Sequence, residues 1–140
     1  NIGEPLKPMV KIASGGELSR IMLAMKSVLA DVDEVGTLIF DEIDTGVSGK
    51  TSRKIGIKLK EISKNAQVIC VTHSAQIASL ADTHFEIVKG EADGRAVTSL
   101  KKLSYEERVE ETARLVGGIE ITETQKNAAR EMIKEGETLI

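Results

Sequence analysis

Thr37-Leu38-Ile39-Phe40-Asp41-Glu42 sets four largely apolar residues directly before two adjacent carboxylates. A short apolar run without alternation reads as a strand buried on both faces, as in a parallel sheet. Buried unpaired charge is costly, so a buried strand that ends in two acids needs a reason. The C-terminal edge of an open α/β sheet supplies one. Ligands collect there, and carboxylates can hold a divalent cation or activate water. Asp41 and Glu42 are therefore read as the chemical centre, with the rest of the chain as its support.

A second strand of the same kind, Gln67-Val68-Ile69-Cys70-Val71, delivers Thr72-His73-Ser74 at its end. If the two strands are parallel neighbours, His73 stands at the same sheet edge as Asp41 and Glu42. An imidazole there can contact an anion or a reacting water. A lone histidine is more often structural, and His84, within the strand pattern of 83–88, is read that way. Between the two strands lie the polar loop Ile43-Asp44-Thr45-Gly46-Val47-Ser48-Gly49 and a helix from about 50 to 64, with Ile55, Leu59 and Ile62 inward. Gly49-Lys50-Thr51 looks like the end of a phosphate-binding loop. The full pattern needs a glycine where Asp44 stands, and an acid there would repel phosphate, so that reading is rejected. Lys50, Arg53, Lys54, Lys58, Lys60 and Lys64 on this helix read as a solvated face in preference to a DNA contact.

Ahead of the first strand, Ser14-Gly15-Gly16-Glu17-Leu18-Ser19-Arg20 has capping-box spacing between Ser14 and Glu17. Leu18, Ile21, Met22, Met25, Val28 and Leu29 then form a helical stripe, so a helix is read from the glycine pair to about Ala30. A helix N-terminus preceded by glycines offers N–H groups and a positive dipole end to an anion. The plainer reading is a capped helix whose glycines turn the chain, and the local pattern alone favours it. Residues 1–12, with Pro5 and Pro8, read as an extended entry with an edge strand at 9–12, and 31–36 as a turn.

Downstream, residues 75–81 read as a short helix with Ile77 and Leu80 inward. Strands at 83–88 and 96–103 around a turn at 90–94 read as an antiparallel hairpin. A second capping pair, Ser104 and Glu107, starts a helix through Val109, Ala113 and Val116 that stops at Gly117-Gly118. Thr122 and Gln125 open the last helix, with Ala128, Ala129, Met132 and Ile133 inward.

The 140 residues suffice for one domain, read as 1–140. Phe40, Phe85 and Tyr105 are the only aromatics, so the core must be aliphatic. No apolar run approaches the roughly 20 residues that span a bilayer, and no signal-peptide pattern appears. The single Cys70 rules out an internal disulfide framework and suits a reducing compartment. A net charge of −3 gives no global argument for nucleic-acid binding. The chain reads as a piece of a longer protein.

The motifs in their order resemble the second half of an ABC-type ATPase head: signature, Walker B, D-loop and switch histidine. The stretches 13–20, 40–49 and 71–78, with Leu115-Val116-Gly117-Gly118 and the closing helix, are most similar to an SMC-like bacterial DNA-repair family whose head is split by a long coiled coil. The resemblance implies an α/β fold, the C-terminal lobe of an ABC-type P-loop NTPase head, with a mainly parallel sheet, flanking helices, a C-terminal hairpin and two helices. It implies ATP and Mg²⁺ as cofactors. Asp41 would help hold Mg²⁺ through water, Glu42 would polarise the attacking water, and His73 would contact the γ-phosphate. Ser14, Gly15, Gly16 and Glu17 would meet a nucleotide held by the opposite head, and Asp44, Ser48 and Gly49 would lie at the head–head junction. Implied partners are a second head across the nucleotide, the N-terminal half of the same protein and, indirectly, DNA, with no membrane, in the bacterial cytoplasm beside the nucleoid.

No Walker A sequence and no Q-loop occur in these residues, so the chain alone is expected not to hydrolyse ATP. One rival is the head of another SMC-like chromosome or recombination ATPase. Thr45-Gly46-Val47-Ser48-Gly49 weighs against it, because most relatives resemble Ala-Leu-Asp there. A rival of another class is a non-catalytic phosphate or Mg²⁺-binding module built on Asp41 and Glu42.

Overall fold

The structure, a computed structural model, describes residues 8, 13–29, 35–92, 95–118 and 120–139. The expected edge strand at 9–12 and most of the turn at 31–36 lie outside the described residues. The chain forms two compact units, residues 1–72 and 73–140.

The first unit contains α1 (Gly15–Val28), β1 (Thr37–Phe40), α2 (Gly49–Ile62) and β2 (Gln67–Cys70). β1 and β2 pair in parallel with Thr37 opposite Gln67 and Phe40 opposite Cys70. Parallel neighbours need a crossover, and α2 supplies it. The expected inward residues of α2, Ile55, Leu59 and Ile62, are buried. The strands are not buried on both faces as expected. Ile39 is 70% exposed, and Ile69 and Val71 are exposed too. A two-stranded pair has two faces, and the described residues cover one.

α1 forms where expected. Its capping box forms, with Ser14 and Glu17 exchanging hydrogen bonds. Its apolar stripe, however, faces outward. Met22, Met25 and Leu29 are exposed, and Val28 is 83% exposed. The inward side is Gly16 and Leu23, flanked by half-buried Ser19, Arg20 and Ser27. Hydrophobic periodicity locates the apolar stripe of a helix without saying what that stripe meets. Here the nearer contact is made by the small and polar side.

The second unit contains α3 (Ala75–Ala78), β3 (Phe85–Ala92), β4 (Arg95–Lys102), α4 (Tyr105–Gly117) and α5 (Glu123–Glu137). Ile77 and Leu80 are buried around α3, as expected. β3 and β4 form the expected antiparallel hairpin, but it is longer. Gly90 pairs with Val97 and Ala92 with Arg95, so residues 90–92 belong to a strand and not to the turn. These eight-residue strands exceed the four-residue parallel pair, so the chain is mixed α/β and not mainly parallel. Phe85, Ile87 and Leu100 stay exposed on the hairpin.

α4 and α5 pack around Val109, Ala113, Ala129 and Ile133, all fully buried, with Ile121 alongside. Val116 and Ala128, expected inward, are exposed. Val116 sits in the last turn of α4, just before the Gly118 cap at φ 84°, and Ala128 precedes the residue that faces the core. Both helices begin with capping boxes. Glu107 serves its box and also meets Lys101 at 2.6 Å. The Lys101 hydrogen bond first, and then the Ser104 bonds, hold its carboxyl down at about 2. Gln125 lies over Gly117 and leaves no room there for a Cβ. Among the described residues no helix is long and apolar enough to cross a membrane.

Two outcomes follow from this unit. Ile133→Ala removes three carbons from a fully buried site and should cost about 2–5 kcal/mol, read by denaturant unfolding. His84 is pulled below its usual value of 6.5 by burial and then by Arg108, with Glu111 and Glu86 opposing. The unfolded chain then binds the proton more readily than the folded one between that lowered value and 6.5, so stability should fall as pH drops through 6.5. Unfolding curves across that range should flatten in His84→Gln.

Candidate functional site

All but one of the expected site residues lie in the first unit, and the local chemistry explains their placement. β1 ends at Phe40, so Asp41 and Glu42 emerge at the C-terminal edge of the parallel pair, both exposed. Asp41 Oδ1 accepts the Glu42 N–H at 2.9 Å. Glu42 has φ 56°, a left-handed conformation unusual for a residue with a side chain. The Thr45 N–H then bonds the Glu42 carbonyl at 3.0 Å, which closes a tight turn. Gly46, at φ 73°, takes the next left-handed position without penalty.

Asp44 is buried and accepts from Thr72 Oγ1 at 2.6 Å. The ends of the two strands therefore converge, as the parallel reading required. Thr72 is a structural partner that the sequence placed at this edge without assigning it a role. His73 is the next residue in the chain and is exposed. It begins the second unit.

The N-terminus of α1 meets the same loop. Ser19 Oγ donates to the Asp41 carbonyl at 2.8 Å. Arg20 Nη1 donates to the carbonyls of Ile43 at 3.1 Å and Thr45 at 3.0 Å. A Cβ on Gly16 would stand 2.7 Å from the Glu42 carbonyl, and one on Gly15 would stand 2.7 Å from Glu42 Oε2. Glycine is thus required at 16 by a backbone approach, and at 15 it leaves space for the acid. Ser14 and Gly15 are exposed, whereas Gly16 is buried. The amides of the first helical turn have no intrahelical acceptor. Glu17 accepts the Ser14 N–H at 2.8 Å, and that bond holds its carboxyl below the usual range.

The loop ends at α2, where Ser48 is the N-cap and accepts the Thr51 N–H at 3.4 Å. Gly49 is the first, exposed residue of that helix. Gly49-Lys50-Thr51 is thus an ordinary capped helix start. Ser19 and Arg20 are the contributors that pattern reading missed. The signal was available, because Gly16, Ser19, Arg20 and Leu23 recur at helical spacing as a small and polar stripe beside the apolar one.

Among the described residues, no three His, Cys, Asp or Glu side chains cluster to hold a metal by themselves. Asp41 retains Oδ2 once Oδ1 has accepted the Glu42 amide. One carboxylate oxygen suits Mg²⁺, which keeps several waters and is completed by substrate phosphates. Cys70 stands one residue from the edge. Burial, and then Asp44 and Asp41, push its thiol up to about 12.

No family model matches the chain. A solved structure described as "Structural biochemistry of ATP-driven dimerization and DNA stimulated activation of SMC ATPases" superposes with a TM-score of 0.53 and 25% identity, covering 77% of this chain and 64% of that one. The chain's fold is thus similar to that of an SMC ATPase. Over nearly its whole length the chain is homologous to part of the bacterial DNA repair protein RecN. It is 47% identical over 137 residues to RecN of Bacillus subtilis, 49% over 133 to that of Halalkalibacterium halodurans and 48% over 136 to that of Treponema pallidum. These matches take in 95–98% of this chain and 24% of each relative, so the chain spans about a quarter of their length.

Thiolate is the reactive form of cysteine. Alkylation of native Cys70 at pH 8 should therefore run at least about 100-fold slower than in the denatured chain, as followed by mass spectrometry.

Proposed function

We propose that this chain is the signature and Walker B half of an ATP-hydrolysing head in a RecN-type protein of DNA double-strand-break repair and recombination. The observation that carries the reading is the exposed Asp41–Glu42 pair at the end of β1, fastened to the N-terminus of α1 in a RecN homologue. The acids supply what phosphoryl transfer asks of this half, a cation ligand and a group to orient water, and the helix end supplies N–H groups for an anion. Mg²⁺, when bound, would neutralise charge developing on the phosphates.

In this reading Asp41 holds the cation through water and Glu42 orients and deprotonates the attacking water. His73 contacts the γ-phosphate. Ser14, Gly15, Gly16 and Glu17 form the face that meets a nucleotide held by a second head, and Asp44, Ser48 and Gly49 line the junction between heads. ATP joins the two heads and hydrolysis releases them. The protein would act in the bacterial cytoplasm and engage DNA through the full-length assembly.

The N-terminal half of the protein would bring the nucleotide cradle. The outward stripe of α1 and the bare face of β1 and β2 are apolar surfaces of the kind that mark interaction sites, and we assign that half to them.

The test is Glu42→Gln in the full-length protein. Loss of a general base costs roughly 10²–10⁴-fold. Turnover should fall by that factor while ATP binding persists, and joined dimers should accumulate on sizing in ATP. The chain alone should show no turnover until the N-terminal half is added. Undiminished turnover in Glu42→Gln would remove Glu42 from the chemistry. A wild-type protein that binds Mg²⁺ and phosphate without turnover would favour a binding module.

A further inference from the structure

We propose that Arg20 is a positioning residue for the water-orienting acid, fixing the loop that carries Glu42 to the helix whose start receives the second head's nucleotide. The inference rests on the reading above and adds to it how one face of the head constrains the other. A single nitrogen, Nη1, bridges the carbonyls of Ile43 and Thr45. Those carbonyls belong to the second and last residues of the turn that Glu42 opens at φ 56°. A left-handed residue with a side chain persists only where its surroundings hold it, and Arg20 grips that turn at two points.

Two neighbouring contacts complete the fastening. Ser19 Oγ donates to the carbonyl of Asp41, the residue before the strained one. Gly16 lets the backbone of α1 approach the Glu42 carbonyl so closely that a Cβ would stand 2.7 Å from it. Asp41, Glu42, Ile43 and Thr45 are each touched by α1, whose first turn is Ser14-Gly15-Gly16. A shift of α1 on docking of a second head therefore moves the loop with it. Arg20 touches no reacting atom in this account, and its influence passes through the backbone.

Because one nitrogen does the bridging, one ammonium can replace it, whereas a neutral side chain of similar length cannot. The experiment compares Arg20→Met and Arg20→Lys in the full-length protein, with nucleotide affinity and steady-state turnover measured separately. Arg20→Met should bind ATP within about twofold of wild type and lose at least about tenfold in kcat, the pattern of an interaction used in the transition state and not in binding. Arg20→Lys should recover kcat to within about threefold. Ser19→Ala should move kcat in the same direction by less than Arg20→Met.

The proposal is overturned if Arg20→Met keeps kcat within twofold, or if Arg20→Lys is as slow as Arg20→Met. Should Arg20→Met fail to fold, Arg20→Lys decides alone: normal turnover supports bridging, and lost turnover with intact ATP binding overturns it. An Arg20 result against the proposal, beside a Glu42→Gln variant that still loses turnover, sinks the positioning role and leaves the ATPase reading standing. Wild-type protein without turnover sinks both.

Discussion

The contact on which the candidate site depends is that between the first turns of α1 and the loop after β1. Three side-chain hydrogen bonds, from Ser19 and Arg20, run to main-chain carbonyls of that loop, and a glycine replaces what would be a clash. Bonds to carbonyls hold position without regard to the loop's own side chains. The carboxylates of Asp41 and Glu42 thus stay exposed, while the loop's backbone is held by donors on the neighbouring helix. A positive guanidinium beside a loop with acids at 41, 42 and 44 also offsets part of their mutual repulsion.

The legible parts of the chain were those set by short-range rules. Ser14 with Glu17, Ser104 with Glu107 and Thr122 with Gln125 are reciprocal caps whose partners stand three residues apart, so spacing alone locates them. The parallel pairing was legible because two apolar runs separated by a helical pattern admit few arrangements. Asp41 and Glu42 stood out because acids at the end of an apolar run need an account, and their exposed place at the end of β1 was legible in that way. Which side of α1 turns inward was not legible, because an apolar stripe states a need for cover without naming what covers it. The spacing of Gly16, Ser19, Arg20 and Leu23 marked a second stripe, but it could not name what Arg20 grips, because its acceptors are main-chain carbonyls 23 and 25 residues away.

The apolar surface left bare belongs to the same argument. Val28, Met25, Ile39 and Leu100 are exposed to a degree that a self-sufficient domain of this size rarely shows. A two-stranded hairpin is at best marginal in water without a third strand or a packed helix, and β4 is exposed along its whole length. Apolar surface of this extent is the kind that marks interaction sites. The helix α1 then has two unlike faces. Its polar side grips the acid-bearing loop, and its apolar side stands exposed.

That division explains why strain sits at Glu42 and not elsewhere. Among the described residues it is the one non-glycine residue with positive φ. A left-handed residue costs roughly 1–2 kcal/mol, and glycine at 42 would avoid that cost while discarding the carboxylate. The cost is borne where the side chain is wanted and avoided four residues later, where Gly46 takes the same kind of conformation. A fold that needed only a turn could have placed glycine at both positions. One that keeps an acid at the strained position, and braces it with an arginine, is arranged around what that acid does.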